Sequence, residues 1–335
     1  MEEIEKLEIA HPFIENRKSV VVFADYVEAT SGTGIVHTAP GHGLEDYQTG
    51  LNYNLDIYCP VDREGKYTSD YKEMEGIRVT DANPKIIEIL KNNGRLFYKE
   101  DISHSYPICW RCKNPLIFRA TDQWFMNMKH DNIDERTVKS LENIKWYPIW
   151  GHDRMKKMLD NRPDWCLSRQ RSWGVPIPAF YCKKCGKTLL TSESTKHFAE
   201  IVKTKGMDIW FELEPKDLLP AGTKCECGSD EFGKEEDILD VWFDSGVSSF
   251  ASQKTNKDLD GNFPVEIYLE GGDQYRGWFQ AAIWPSMAIR GIPPYKELIT
   301  HGWTLDENGK AMHKSAGNVV SPLDVIDKYG ADILR

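Results

Sequence analysis

The sequence has no apolar run approaching the roughly 20 residues that a membrane-crossing helix requires, which excludes a transmembrane helix. Its opening, Met1-Glu2-Glu3-Ile4-Glu5-Lys6, is acidic and polar and lacks the features of a secretory signal. Internal repeats and low-complexity linkers are absent, so repeat architectures are excluded. There is no Gly-x-x-x-x-Gly-Lys-Ser/Thr element, which disfavours a P-loop ATPase. Positive charge is in short supply: 42 Lys and Arg face 52 Asp and Glu, a formal net charge of -10. Such a balance argues against a surface that is wholly a nucleic-acid footprint, while leaving room for local basic patches. Arg154-Met155-Lys156-Lys157 and Arg169-Gln170-Arg171 are the candidates, with plain solvated charge as the competing explanation.

What is present is ordinary soluble globular material. The 335 residues, 40% hydrophobic and 28% charged, suffice for two or three domains and a sizeable core. Tryptophan is plentiful, with 11 in the chain, and several stand beside Gly, Asp or Arg rather than inside apolar runs. Trp173-Gly174, Trp242-Phe243-Asp244, Arg276-Gly277-Trp278 and Gly302-Trp303 therefore suggest pocket walls, although a core role is the commoner fate of any single ring.

Six of the eight cysteines fall in close pairs. Without a secretory signal, close pairs read as thiolate ligands in a reducing, cytoplasmic setting rather than as disulfides. Cys182-Lys183-Lys184-Cys185-Gly186 and Cys225-Glu226-Cys227-Gly228 are two short turns, each followed by glycine, which lets backbone amides point at the sulfurs. Together they supply the four soft ligands of a closed tetrahedral Zn2+ site. Cys109 and Cys112 have the same knuckle spacing but no second pair, and read as an incomplete site. Cys59 and Cys166 are isolated.

Three textures follow one another. Residues 1–104 read as a mixed α/β unit, with a strand over Ser19–Tyr26 and a helix opened by Asn83-Pro84, running through Leu90 and stopped at Gly94. Residues 105–234 turn to short strands and cysteine knuckles, with helices over Asp134–Asn143 and Thr195–Thr204. From 235 to 335 an α/β pattern returns. Its strands are expected over Pro264–Leu269 and Leu298–Trp303, and a helix kinked by Pro285 over Tyr275–Ile289. A last helix carries Ser321 as cap, Pro322 first, Asp324 completing an approximate capping box and Gly330 as stop.

Two segments carry the chemistry. In "YLEGGDQYRGWF", Tyr268 to Phe279, a strand, a glycine turn and a helix start put Glu270, Gly271, Asp273 and Gln274 at the carboxyl end of a strand, where open α/β sheets bind ligands. In "THGWTLDENGKAMHKSAGNVVSP", residues 300–322, a strand passes through a tight turn into a glycine-flanked loop bearing Lys314 and Ser315. A crevice and a lysine loop in one α/β domain are suited to hold a nucleoside triphosphate and to neutralise charge on departing phosphate. A solvated turn is the bland alternative for the loop.

These residues carry a resemblance to class I aminoacyl-tRNA synthetases, with the isoleucyl branch fitting best. "GTGIVHTAPGHGLEDY" (32–47), "YPICWRCKNPLIFRATDQWF" (106–125), "CLSRQRSWGVPIP" (166–178), "DVWFDSG" (240–246), "LEGGDQYRGWF" and the lysine loop occur in that family's order, over nearly the whole chain. The resemblance implies a partial Rossmann-type catalytic domain in 235–335, a connective region with zinc knuckles in 105–234, and the C-terminal part of an editing domain in 1–104. It further implies isoleucine, ATP with Mg2+ and tRNA(Ile) as partners. Glu270, Asp273 and Gln274 would line the adenylate site, and Trp242 and Trp278 would wall the isoleucine side chain. Lys314 and Ser315 match the end of the Lys-Met-Ser-Lys-Ser loop. His37, His42 and Asp46 fall in the editing segment, Asp46 matching the carboxylate that binds the free α-ammonium. Editing has a physical need, since one methylene separates isoleucine from valine by only about 1–3 kcal/mol.

The chain departs from the family pattern in places. Ala311 and His313 replace two residues of the lysine loop, and Tyr275 stands where histidine is usual. No His-Ile-Gly-His-like segment is present, nor is the threonine-rich half of the editing pocket. The expectation is thus a portion of a longer synthetase, completed by an N-terminal portion or a companion chain and inactive alone in adenylate formation. A zinc-stabilised binding module without catalysis and a freestanding deacylase are the readings from other classes.

Overall fold

The computed structural model of the chain describes residues 4–28, 30, 32–109, 112–160, 162–256 and 262–335. It divides into two compact units, Met1–Asp122 and Gln123–Arg335.

In the unit Met1–Asp122, strands Glu8–Ala10 and Lys18–Val20 form an antiparallel hairpin with Ile9 opposite Ser19. The strand expected over Ser19–Tyr26 is thus much shorter. Val21 still exchanges backbone bonds with Lys6 and Leu7, but the ladder ends there, so the high β propensity of Val22 and Phe23 finds no continuing partner. Helix Val79–Asn92 starts before Pro84, which lies inside it. Asp81 in its first turn suits the positive end of the helix, and the proline costs it one internal donor. A small cluster of Tyr71, Met74 and Ala82 is buried, flanked by Phe13, Ile14, Tyr67, Ile77, Ile86 and Ile89.

In the unit Gln123–Arg335, a parallel sheet has the order Val265–Gly271, Tyr295–His301, Lys145–Tyr147. The middle strand begins and ends earlier than Leu298–Trp303, because its register pairs Val265 with Tyr295 and Gly271 with His301, leaving Gly302 and Trp303 outside the ladder. A five-residue 3-10 turn, Gly272–Arg276, then leads into helix Trp278–Arg290. That helix is buried throughout Phe279–Met287, where Gln280 and Ser286 are the two polar residues, and it runs unbroken through Pro285. Gly291 ends it in the left-handed conformation at φ 71. Gly246 is where helix Val241–Gly246 meets it: a Cβ there would lie 2.0 Å from the Ala281 carbonyl oxygen.

A second core belongs to the cysteine lobe. Strand Phe180–Cys182 pairs antiparallel with Thr188–Leu189 and Phe232–Lys234, and helix Ser192–Lys205 carries a capping box between Thr191 and Ser194. Phe180, Phe198, Trp210, Leu218 and Phe232 are buried together. Helix Pro322–Tyr329 follows the lysine loop with Ser321 in the cap position, but the Ser321 side chain makes no cap bond and the expected capping box does not form. No helix among the described residues is long and apolar enough to cross a membrane.

Candidate active site and thiolate centre

The three parallel strands share one carboxyl edge: Glu270 lies opposite Thr300, and Ile299 opposite Tyr147. Near that edge is a cavity of about 330 Å³ lined by Trp242, Ser245, Ser248, Glu270 and Trp278. Trp278 is fixed on both faces of its role as a wall. Its ring stacks on buried Tyr268 at 4.0 Å between centroids, and its indole N–H donates to the Ser245 carbonyl at 3.0 Å. Gly277 admits the Trp242 ring, which a Cβ there would approach to 3.0 Å.

Asp273 and Gln274 follow directly but do not line this cavity. Gln274 donates to Asp273 and accepts from the Trp278 amide at 2.9 Å, so it organises the helix start. Ser245 and Ser248, which the sequence reading missed, line the cavity with Trp242 at intervals of three residues; helical spacing was the signal that could have found them. Tyr275 is fully buried, its hydroxyl 3.2 Å from Thr300 Oγ1, which in turn donates to the Tyr147 carbonyl. It therefore links, through Thr300, the ends of the Tyr295–His301 and Lys145–Tyr147 strands. Arg154 stacks over the Tyr275 ring at 5.1 Å, and its guanidinium lies 3.6 Å from where a Cβ on Gly272 would be.

The lysine loop leaves the same edge, directly after Tyr295–His301, as a short hairpin. Leu305 bridges Ala311, and the Asp306 amide donates to the Lys310 carbonyl at 2.8 Å. Asp306 and Asn318 pin its base: Asn318 donates to Asp306 Oδ2 at 2.8 Å and to the Ala311 carbonyl at 3.1 Å, and accepts from the His313 amide at 2.9 Å. The Asn318 amide, then the Lys310 backbone N–H, hold the Asp306 carboxyl below its ordinary pKa. Lys314 is exposed, and the side chain of Ser315 lies outside what is described.

Cys182, Cys185, Cys225 and Cys227 come together with all sulfurs within 4.8 Å of one another. The closest pairs, Cys182 with Cys227 and Cys185 with Cys225, are 3.6 and 3.5 Å apart, too long for disulfides. A tetrahedral zinc cage with Zn–S of about 2.3 Å places sulfurs about 3.8 Å apart, so the donor set fits Zn2+. Burial pushes the Cys182 thiol up, but the Cys185 and Lys184 amides and the neighbouring thiols outweigh it and bring it to about 6. The Lys187 amide favours the Cys185 thiolate, yet burial and three sulfur neighbours drive that thiol to about 12. No third His, Cys, Asp or Glu joins Cys109 and Cys112 among the described residues; residues 110 and 111 between them lie outside those described.

In the unit Met1–Asp122 a separate, mostly apolar cavity of about 1200 Å³ is lined by His37 and His42 of the expected set, together with His11, which sequence reading missed. Burial first, then the charges of Arg17 and His37, lower the His11 pKa. Asp46 is not in that lining. In helix Leu44–Tyr53 it accepts from the Ala39 amide at 2.9 Å and from Tyr26 at 3.3 Å, which fixes the glycine turn carrying His42.

A walled cavity and a cationic hairpin thus stand at the carboxyl edge of a parallel sheet, the place where open α/β sheets bind ligands. The chain belongs to the class I tRNA synthetases (I, L, M and V), whose sequence profile matches residues 9–335. Within that family it is 84% identical to the isoleucine--tRNA ligase of Brachyspira hyodysenteriae over all 335 residues. It is 52% identical to that of Petrotoga mobilis over 326 residues, 97% of the chain. The chain spans about a third of the length of these relatives, 36% and 35% respectively. Among solved structures, the methionyl-tRNA synthetase of Mycobacterium tuberculosis bound by methionyl-adenylate aligns over 69% of this chain and 36% of its own, at 14% identity and a TM-score of 0.41.

Proposed function

We propose that this chain supplies the strand-end aminoacyl pocket, the lysine loop, the zinc-bearing connective region and part of the editing domain of an isoleucine-activating synthetase. The whole enzyme joins isoleucine to ATP as an adenylate and passes the acyl group to tRNA(Ile). It hydrolyses mischarged valyl-tRNA at a second site. The observation that supports this reading most is the cavity between Trp242 and Trp278, apolar on two sides and carrying one carboxylate, Glu270. That combination suits a small aliphatic amino acid: rings for the side chain, a carboxylate for the ammonium group.

Lys314 neutralises the phosphates as pyrophosphate leaves, and the hairpin closes and opens to let it go. Mg2+ arriving with ATP would supply further charge on the same phosphates. In the editing segment His37, His42 and Asp46 serve the mischarged product, with Asp46 for its free ammonium. Cys182, Cys185, Cys225 and Cys227 would hold Zn2+, which braces the lobe rather than touching substrate. The functional boundaries are 1–104, 105–234 and 235–335.

Isotope exchange between pyrophosphate and ATP tests the reading. The chain alone should give only background, and the chain completed by a nucleotide-binding half should show exchange that depends on isoleucine. Lys314→Ala should then lower kcat by about 10²–10³. Exchange supported better by another amino acid, or none in the completed enzyme, would remove the proposal.

A further inference from the structure

The Trp242 wall is held by a carboxylate that never reaches the cavity. Asp240 is 4% exposed and sits immediately before helix Val241–Gly246. One of its oxygens, Oδ1, accepts from the Trp242 backbone N–H at 3.0 Å. The other, Oδ2, accepts from the Trp165 indole at 3.1 Å and from the Arg169 guanidinium at 2.6 Å. Arg169 is itself fixed, donating to the Cys166 and Ser168 carbonyls at 2.9 and 2.8 Å. Strands Ser168–Arg169 and Ile238–Leu239 are paired antiparallel, with Ile238 opposite Arg169, so the clamp closes across a ladder and not across a free loop.

A helix of six residues has too few internal hydrogen bonds to hold its own angle. Its direction is set at the two ends. At the carboxyl end Gly246 lies against the Ala281 carbonyl. At the amino end the Asp240 backbone N–H donates to the Leu167 carbonyl at 2.6 Å and the Phe243 ring lies against Trp165, while the Asp240 carboxylate is the group bonded to the Trp242 amide, the second residue beyond it. A rotation of the helix about Gly246 moves the Trp242 ring toward or away from Trp278 and changes the width of the cavity. Discrimination of one methylene depends on that width, since the whole available difference is about 1–3 kcal/mol.

We infer that Asp240, clamped by Arg169 and Trp165, is the positioning residue that sets the Trp242–Trp278 spacing and thereby the pocket's preference for the larger of two aliphatic amino acids. The inference rests on the proposed activity for its substrate, but the clamp itself does not. Arg169 is partly exposed, but of the two basic segments considered for nucleic-acid contact its guanidinium is already committed to Asp240 and two backbone carbonyls.

Two measurements separate these levels. The first is amide hydrogen exchange of this chain at Trp242 and Phe243. Asp240→Ala should speed exchange at Trp242 at least tenfold, and Asp240→Asn, which keeps an acceptor, should speed it less. Unchanged exchange in the alanine variant overturns the inference whether or not the chain belongs to an isoleucine-activating enzyme. The second is pyrophosphate exchange kinetics in the completed enzyme. Asp240→Asn should raise KM for isoleucine about tenfold and narrow the isoleucine-to-valine ratio of kcat/KM by a similar factor, with KM for ATP within twofold of the parent. Arg169→Lys, at a partly exposed position, should narrow the ratio about threefold. A general loss of folded protein would instead lower kcat and leave the ratio in place; that pattern in both variants overturns the inference.

Discussion

Two lobes of the unit Gln123–Arg335 bury their apolar residues on different scales. Around the parallel sheet, 18 buried hydrophobic residues from Met128 to Leu298 form one cluster, with Trp284, Tyr275, Phe279 and Tyr295 at its centre. In the cysteine lobe the cluster has eight members, and its strands are two or three residues long. Strands so short gain little from their ladders, and a core of that size offsets the entropy of ordering only with help. Four sulfurs whose spacing fits Zn2+ lie in that lobe. The sheet lobe, by contrast, has the larger apolar core, packed tightly enough that single glycines at 151, 246 and 277 face atoms a Cβ would strike.

Metal removal should break the comparison most visibly. Structural zinc sites contribute on the order of 10 kcal/mol to folding. A strong chelator, or Cys182→Ser, should abolish bound Zn2+ and expose the amides around Phe198 and Trp210 to rapid hydrogen exchange. Amides of Tyr268 and Leu298 should keep their protection. Loss of both together would show that the lobes are one cooperative unit.

Gly246→Ala probes the other side. The new methyl would meet the Ala281 carbonyl oxygen at 2.0 Å, and the obstacle is backbone that cannot rotate away. Overpacking of this kind costs about 2–3 kcal/mol, which lowers Tm by roughly 4–12 °C in a domain of this size. Thermal melts should show the shift, while zinc content stays unchanged. An unchanged melt would mean that the two helices separate at little cost.

Much of this division was legible in the sequence, for identifiable reasons. The cysteine pairs, the strand before Gly271 and Gly272 and the turn at Asp306 are written in neighbouring residues, and local chemistry was enough to find them. What escaped depends on partners far along the chain. The clamp of Asp240 joins residues 71 apart to Arg169 and 75 apart to Trp165. The contact that leaves no room for a side chain at Gly151 comes from the Tyr275 hydroxyl, 2.1 Å from a Cβ built there. In the unit Met1–Asp122 the Val-Val-Val-Phe run reads as a strand, yet Val20, Val21, Val22 and Phe23 line the large cavity and pair only as far as Val21. Propensity identifies the residue types and leaves the partner undecided.

The junction of the cysteine strands with Trp124 is a carboxylate, and pH reads it. Glu235 accepts from Tyr181, from the Trp124 indole at 2.7 Å, and from the Asp237 and Glu236 amides at 2.9 and 2.8 Å. Burial raises its pKa, but these donors win and hold it below the ordinary 4.5. Its contribution is therefore present above pH 4.5 and is lost as pH falls through the lower folded value. Tyr181 shifts the opposite way, to about 12, by burial first and then by Glu235. Its contribution is present below 10, the ordinary value, and is lost as pH rises towards 12. Glu235→Gln should flatten the acid limb of a stability-against-pH curve, and Tyr181→Phe the alkaline limb. A Gln variant that retains the full acid limb would place the titration elsewhere.

The smallest effect belongs to the hairpin, which neither core supports. Asn318 alone links Asp306, Ala311 and the His313 amide. These bonds lie near the surface, where a neutral hydrogen bond contributes about 0.5–1.5 kcal/mol. Asn318→Ala should leave global Tm within about 2 °C while amide exchange at His313 and Lys310 accelerates several-fold. Asn318→Asp should do worse than alanine, because it sets a second carboxylate against Asp306 and offers no donor to either oxygen. If both variants leave the loop amides as protected as before, the hairpin holds its shape through the Leu305–Ala311 bridge, and its base is not the hinge on which Lys314 moves.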